Sequence, residues 1–115
     1  MAVAFTNTKR AGDLCVLTVS ITDNSSGGEA TTDENVVGFI KQVAVNNPSA
    51  VSSAFSFTLE DTSTETVLFT KTVDINDLSP DEVNSGAGFF CRGPLKATCG
   101  ATAVDRTLEI YYTKL

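Results

Sequence analysis

Val36-Val37-Gly38-Phe39-Ile40-Lys41-Gln42-Val43-Ala44-Val45, then Phe55-Ser56-Phe57-Thr58-Leu59, then Val67-Leu68-Phe69-Thr70-Lys71-Thr72-Val73: this succession decides the fold class. Side chains of a strand point alternately to two faces, whereas those of a helix return every three to four residues. Period two puts Val37, Phe39, Val43 and Val45 on one face of the first segment. It does the same for Phe55, Phe57 and Leu59 in the second, and for Val67, Phe69 and Val73 in the third. Asn46-Asn47-Pro48 and the polar loop Asp61-Thr62-Ser63-Thr64-Glu65 supply turn chemistry between them. The writing is that of half-buried β-strands joined by turns.

Outward from this stretch the pattern repeats. Strands are expected near Val3–Thr8, Leu14–Thr22, Val36–Val45, Ser53–Glu60, Thr66–Val73, Gly88–Cys99 (with a bend at Gly93-Pro94) and Arg106–Thr113. Arg10-Ala11-Gly12-Asp13, Asp23-Asn24-Ser25-Ser26-Gly27-Gly28 and Asn84-Ser85-Gly86 read as their turns. One short helical turn is invited near residues 79–83. There Ser79 offers an N-cap, Pro80 the first helical position and Glu82 the reciprocal acid. About seven to eight short strands at this spacing imply an all-β sandwich, jelly-roll-like or immunoglobulin-like. With 115 residues the chain is one domain, long enough to bury about two-thirds of its unfolded surface. Its division is an N-terminal strand or arm over residues 1–12 and the sandwich over 13–115.

Charge and composition narrow the function classes. The net charge of -6 with Lys9-Arg10 as the one adjacent basic pair argues against nucleic acid and against anionic membranes as partners. The longest apolar run, Val36 to Ile40, is far too short to span a bilayer. No secretory leader is legible at Met1–Phe5, which points to folding in a cytoplasm. Cys15 shares a face with Leu17, Val19 and Ile21. Cys91 and Cys99 share one with Phe89, Leu95 and Ala97. Such cysteines behave as small buried hydrophobes, so three reduced core thiols are expected, with a Cys91–Cys99 bridge as the alternative.

No reactive constellation emerges. The chain has no histidine to activate a serine or cysteine, and its glycines do not fall at phosphate-cradling spacings. Asp74-Ile75-Asn76-Asp77 begins like a calcium loop, but Leu78 and Ser79 stand where a ligand and the glycine are needed. Glu60, Asp61 and Glu65 read as solvated loop carboxylates. No catalytic residue, metal ligand or cofactor is therefore expected, and the protein reads as a non-enzyme. Leu108, Ile110 and Tyr112 should face inward, which turns Tyr111 outward as a contact residue or a cross-strand packing partner.

The order of elements resembles small virion proteins encoded among the head genes of tailed bacteriophages. The matching segments are the strand opening at Gly38-Phe39-Ile40-Lys41-Gln42-Val43 with its Asn47-Pro48 turn, and Phe55-Ser56-Phe57-Thr58-Leu59 running into Glu60-Asp61. They continue with Val67-Leu68-Phe69, Gly93-Pro94-Leu95-Lys96-Ala97-Thr98 and the terminal Leu108-Glu109-Ile110-Tyr111-Tyr112. Those proteins carry a glycine after the loop aspartate, and this chain has Thr62 there. The resemblance implies a capsid decoration or cement protein that is assembled in the host cytoplasm. It would bind the major capsid protein on the head exterior as a homo-oligomer, with a trimer favoured. An N-terminal arm could add to a neighbour's sheet edge, so Val3, Phe5, Lys9, Arg10 and the outward Tyr111 are the candidate partner contacts. The rival expectations are a neck or tail (tube or terminator) component, a carbohydrate-binding sandwich and a cryptic hydrolase.

Overall fold

Leu14–Thr22 shows why this chain forms strands. Cys15, Leu17, Val19 and Ile21 are buried, while Val16, Thr18 and Ser20 alternate with them on the wetter face. A strand written this way is stable only when its apolar side meets a second layer. The computed structural model describes the backbone of residues 2–11, 14–22, 27–45, 55–73, 81–82, 88–101 and 105–115. Over them run β1 (Ala2–Ala11), β2 (Leu14–Thr22), β3 (Gly28–Thr31), β4 (Gly38–Val45) and β5 (Phe55–Asp61). Then come β6 (Thr66–Val73), β7 (Asp81–Glu82), β8 (Phe89–Cys91), β9 (Leu95–Cys99) and β10 (Arg106–Lys114).

The strands form two antiparallel sheets. One runs β1-β2-β10-β4, with the far edge of β4 shared between β8 and β7; the other runs β3-β9-β5-β6. Only β1–β2 and β5–β6 pair as sequence neighbours among the described residues, and the steps β2 to β3 to β4 to β5 and β8 to β9 to β10 each change sheet. The two four-strand sets β2-β10-β4-β8 and β3-β9-β5-β6 are the strand order of a jelly roll. An immunoglobulin-type order would keep more sequential hairpins within a sheet. The protein is an all-β sandwich.

Between the layers lies one apolar core. Ile21, Ile40, Val43, Phe55, Leu59 and Leu95 are at most 1% exposed, and each such burial contributes about 1.5–3 kcal/mol. Phe55, Phe57 and Leu59 share the inner face as their spacing predicts, and so do Leu108, Ile110 and Tyr112. All three cysteines are buried free thiols. Cys91 lies in β8 on the first sheet and Cys99 in β9 on the second, on either side of the bend at Gly93-Pro94.

Elsewhere the alternation breaks. Val37 and Phe39, expected on the inner face with Val43, lie outside. Val36, Gly38 and Ile40 are buried instead, followed by Val43. The pairing explains this: Tyr112 opposes Ile40 while Tyr111 opposes Gln42, leaving Lys41 as the extra residue of a β-bulge. One inserted residue flips every side chain beyond it. The same occurs in β6. Leu59 opposes Phe69 and Glu60 opposes Val67, so Leu68 is extra, and Val67 is 55% exposed instead of sharing the inner face with Phe69.

Two elements were not legible as strands. β3 falls partly in the expected turn at 23–28, and the helical start around Ser79–Glu82 is not formed at Asp81–Glu82, which pair with Val43 and Gln42. The edge of β4 offers those two residues ladder hydrogen bonds that a single helical turn cannot match. The acidic stretch 74–80 lies outside the described residues.

Candidate functional site

At one end of the sandwich, three loops are tied together. Asp61, expected to be a solvated loop carboxylate, is only 2% exposed. Its Oδ1 accepts hydrogen bonds from the backbone N–H of Ser63 (3.0 Å) and from Ser63 Oγ (2.7 Å), and its Oδ2 accepts one from the N–H of Arg92 (3.0 Å). Burial pushes its pKa up, but the hydrogen bonds from Ser63 and Arg92 and the Arg92 charge outweigh that, and the net shift is downward. Thr62 donates to the Pro94 carbonyl from both its N–H (3.0 Å) and its hydroxyl (2.8 Å). Gly93 is buried against this knot, and a Cβ there would collide with the side chains of Ser63 and Asp61. The loop 32–37 joins from the other side, Val36 N–H donating to the Gly93 carbonyl and Thr32 N–H to that of Leu95.

Next to the clasp, the sandwich is open. β1 ends one sheet and β3 ends the other, each with a single partner strand among the described residues. They lie side by side along the seam. A cleft of about 600 Å³ enters between them. Its floor includes Val3, Leu17, Val36 and Tyr112, with Phe5 and Ala30 on its walls. Those four floor residues are 6–8% exposed, whereas every other buried apolar residue is at most 3% exposed. Of the buried apolar core, these four are therefore the residues that water reaches most. Asp33 and Glu34, both exposed, stand on the rim with Lys114.

The structure separates the candidate contact residues. Val3 and Phe5 point inward from β1 and line the cleft. Tyr111 lies on the opposite, outer face of the same sheet, half-buried and hydrogen-bonded to Glu109. Burial, the Glu109 charge and that hydrogen bond all raise its pKa. Lys9 and Arg10 pair with Val16 and Cys15 in the β1–β2 ladder, and their side chains lie outside the described residues. Near the β8 edge the outer face also carries Phe39 and Phe90, ring centroids 5.4 Å apart, with Lys41 Nζ 6.0 Å from the Phe39 ring.

Three features of the fold were missed by sequence reasoning. One is the clasp, whose only sequence signal is an aspartate two residues before a serine, the spacing of an Asx turn. Another is Arg106, 2% exposed with its guanidinium 4.6 Å from the centre of the Phe55 ring. Burial pushes its pKa down, and the ring face offers a cation an electrostatic partner. The third is the cleft, which depends on β3.

Burial drives the pKa of Cys91 and Cys99 up to about 11, so both are neutral thiols near pH 7. Among the described residues no three cysteines or carboxylates gather as a metal site, and no helix is long and apolar enough to cross a membrane. Compared with known proteins, the chain matches no protein-family model, and no curated protein shows significant similarity to it.

Proposed function

We propose that this protein is a structural component of a phage virion, a decoration or cement protein. In this reading it binds the major capsid protein on the outside of the head, as a homo-oligomer with a trimer favoured, and reinforces the shell without catalysing a reaction. The observation that carries the reading is the order of strand and turn motifs from Leu14 to Thr113, which resembles head-gene virion proteins. The jelly-roll strand order adds weight by analogy of fold, since that architecture recurs in viral capsid domains. The same order recurs in lectins, and Tyr111 with Glu109 on an outer face supports a carbohydrate-binding module as the second reading.

Add-back tests it. Heads lacking the protein are incubated with it, and occupancy and thermal rupture are measured. Binding to the assembled shell should raise the rupture temperature by mass action. Heads that neither bind it nor change their rupture temperature overturn the cement reading. Labelled protein at one vertex or along the tail would move it to the neck or tail, and binding on a glycan array would favour the lectin reading.

A further inference from the structure

The cleft between β1 and β3 combines three properties that together define an occupant. First, it is flanked by the terminal strands of both sheets. A strand with a neighbour on one side only presents backbone N–H and C=O groups on the other, which an extended chain can pair. Second, its floor is apolar and reached by water at Val3, Leu17, Val36 and Tyr112, so an inserted apolar side chain removes apolar surface from water on both partners. Third, its rim holds two exposed carboxylates, Asp33 and Glu34, against one cation, Lys114. The loop bearing those carboxylates is anchored at Thr32 and Val36 to Leu95 and Gly93, so the rim keeps its place before any partner arrives.

We propose that this cleft is a docking site for an extended segment of a partner protein, one that inserts a bulky apolar side chain and carries an adjacent lysine or arginine. The strand edges set the extended backbone, the floor selects the apolar anchor, and Asp33 and Glu34 select the cation. A cleft of about 600 Å³ is of the size that takes one large side chain with its flanking backbone. This deepens the shell-binding reading and rests on it only for the source of the segment, which would be the shell subunit.

The probe is a capped seven-residue peptide alternating valine and lysine around a central phenylalanine, titrated into the isolated, isotope-labelled protein and followed by NMR. Shifts should concentrate at residues 3–5, 30–37, 112 and 114. Replacing the central phenylalanine by alanine should abolish them. In Asp33→Lys/Glu34→Lys, two exposed positions away from the core, affinity should fall at least about tenfold, and a glutamate-flanked peptide should gain. Absence of shifts in the cleft at about 1 mM peptide, where even a millimolar complex is half formed, would overturn the proposal. So would shifts that ignore the rim reversal, or capture of a medium-chain fatty acid in place of the peptide. The same double variant is added to heads. Rim-dependent peptide capture with heads left bare keeps the docking site and removes the shell reading. Heads bound equally by both forms, with no peptide capture, do the reverse.

Discussion

The clasped end and the open seam are built from the same kind of strand, yet one keeps the core dry and the other lets water in. At the clasp, Leu95 and Cys91 are fully buried beneath loops 32–37, 61–65 and 92–94. There cross-loop hydrogen bonds from Thr32, Val36, Thr62 and Arg92 satisfy backbone groups that would otherwise need water. At the seam, β1 and β3 lie alongside each other as sheet ends, and Val3 keeps 8% of its surface. Apolar burial drives the layers together in both places. Closing the last gap takes polar partners for the backbone, because an unpaired buried N–H or C=O costs more than the apolar area gained beside it.

The sharpest way to weigh the two regions is to cut each. Phe57, 3% exposed, packs between the rings of Phe55 (centroids 6.3 Å apart) and Phe69 (5.4 Å). Phe57→Ala should cost about 3–5 kcal/mol in chemical denaturation, the transfer loss plus a cavity that two sheets cannot collapse. A loss under about 1 kcal/mol would show that the core between the sheets is no better packed than the seam.

Breaking the clasp comes next. Asp61→Ala leaves the N–H groups of Ser63 and Arg92 without their acceptor and should cost about 2–4 kcal/mol. The pH dependence has a definite sign. The folded pKa lies below the ordinary 3.8, so the stabilisation is fully present above 3.8 and is lost as pH falls below it through the folded value. Asp61→Asn should remove that component of acid unfolding while the rest of the acid profile persists. Cys91 gives a local readout, being fully buried, with a thiol pushed up to about 11 by burial and by the Asp61 charge. Native-state thiol labelling there should be slow in the wild type and faster in Asp61→Ala. An unchanged labelling rate would mean that the clasp does not close this end.

These regions also mark how far the sequence could be read. The regular strands were legible: β2 from Leu14 to Ile21, β5 throughout and β10 from Arg106 to Thr113 keep period two, so their inner faces follow from spacing. β4 and β6 were legible as strands but not as faces. A bulge is created by the pairing, and no letter at Lys41 or Leu68 announces that the partner strand skips it. β3 was hidden because Gly28-Glu29-Ala30-Thr31 has too little apolar content to separate a short sheet-end strand from a turn. With β3 went the seam, since a cleft between two sheet ends exists only once both ends are known. Asp61 was hidden for another reason. Its burial is decided by Arg92 and Gly93, which lie about thirty residues away in the chain and become neighbours only through the sheet order.

Val3→Ala tests the seam directly and should cost less than any cut beneath the clasp. The side chain already meets water, so its truncation opens no sealed cavity, and a loss of about 0.5–1.5 kcal/mol is expected. Thiol labelling at Cys91 should change little, because Val3 makes none of the hydrogen bonds that hold the clasp. A loss comparable to that of Phe57→Ala would mean that the seam is closed in solution.

The smallest effect is expected at Glu65, where the β5–β6 turn takes a left-handed backbone with φ at 54°. A non-glycine residue there costs about 1–2 kcal/mol through the crowding of its Cβ against the following carbonyl. Glycine relieves that strain but adds about 0.4–1 kcal/mol of chain entropy to the unfolded state. The difference leaves Glu65→Gly stabilised by a few tenths to about 1 kcal/mol. Asparagine tolerates the same backbone without glycine's freedom and should also stabilise, whereas Glu65→Val should destabilise because β-branched residues resist positive φ. None of the three touches the hydrogen bonds of Asp61, so thiol labelling at Cys91 should stay slow in the glycine and asparagine variants. If Glu65→Gly instead destabilises the fold and speeds labelling, then the glutamate side chain itself contributes to closing this end, beside the contacts that Asp61 and Thr62 make to the loop 92–94.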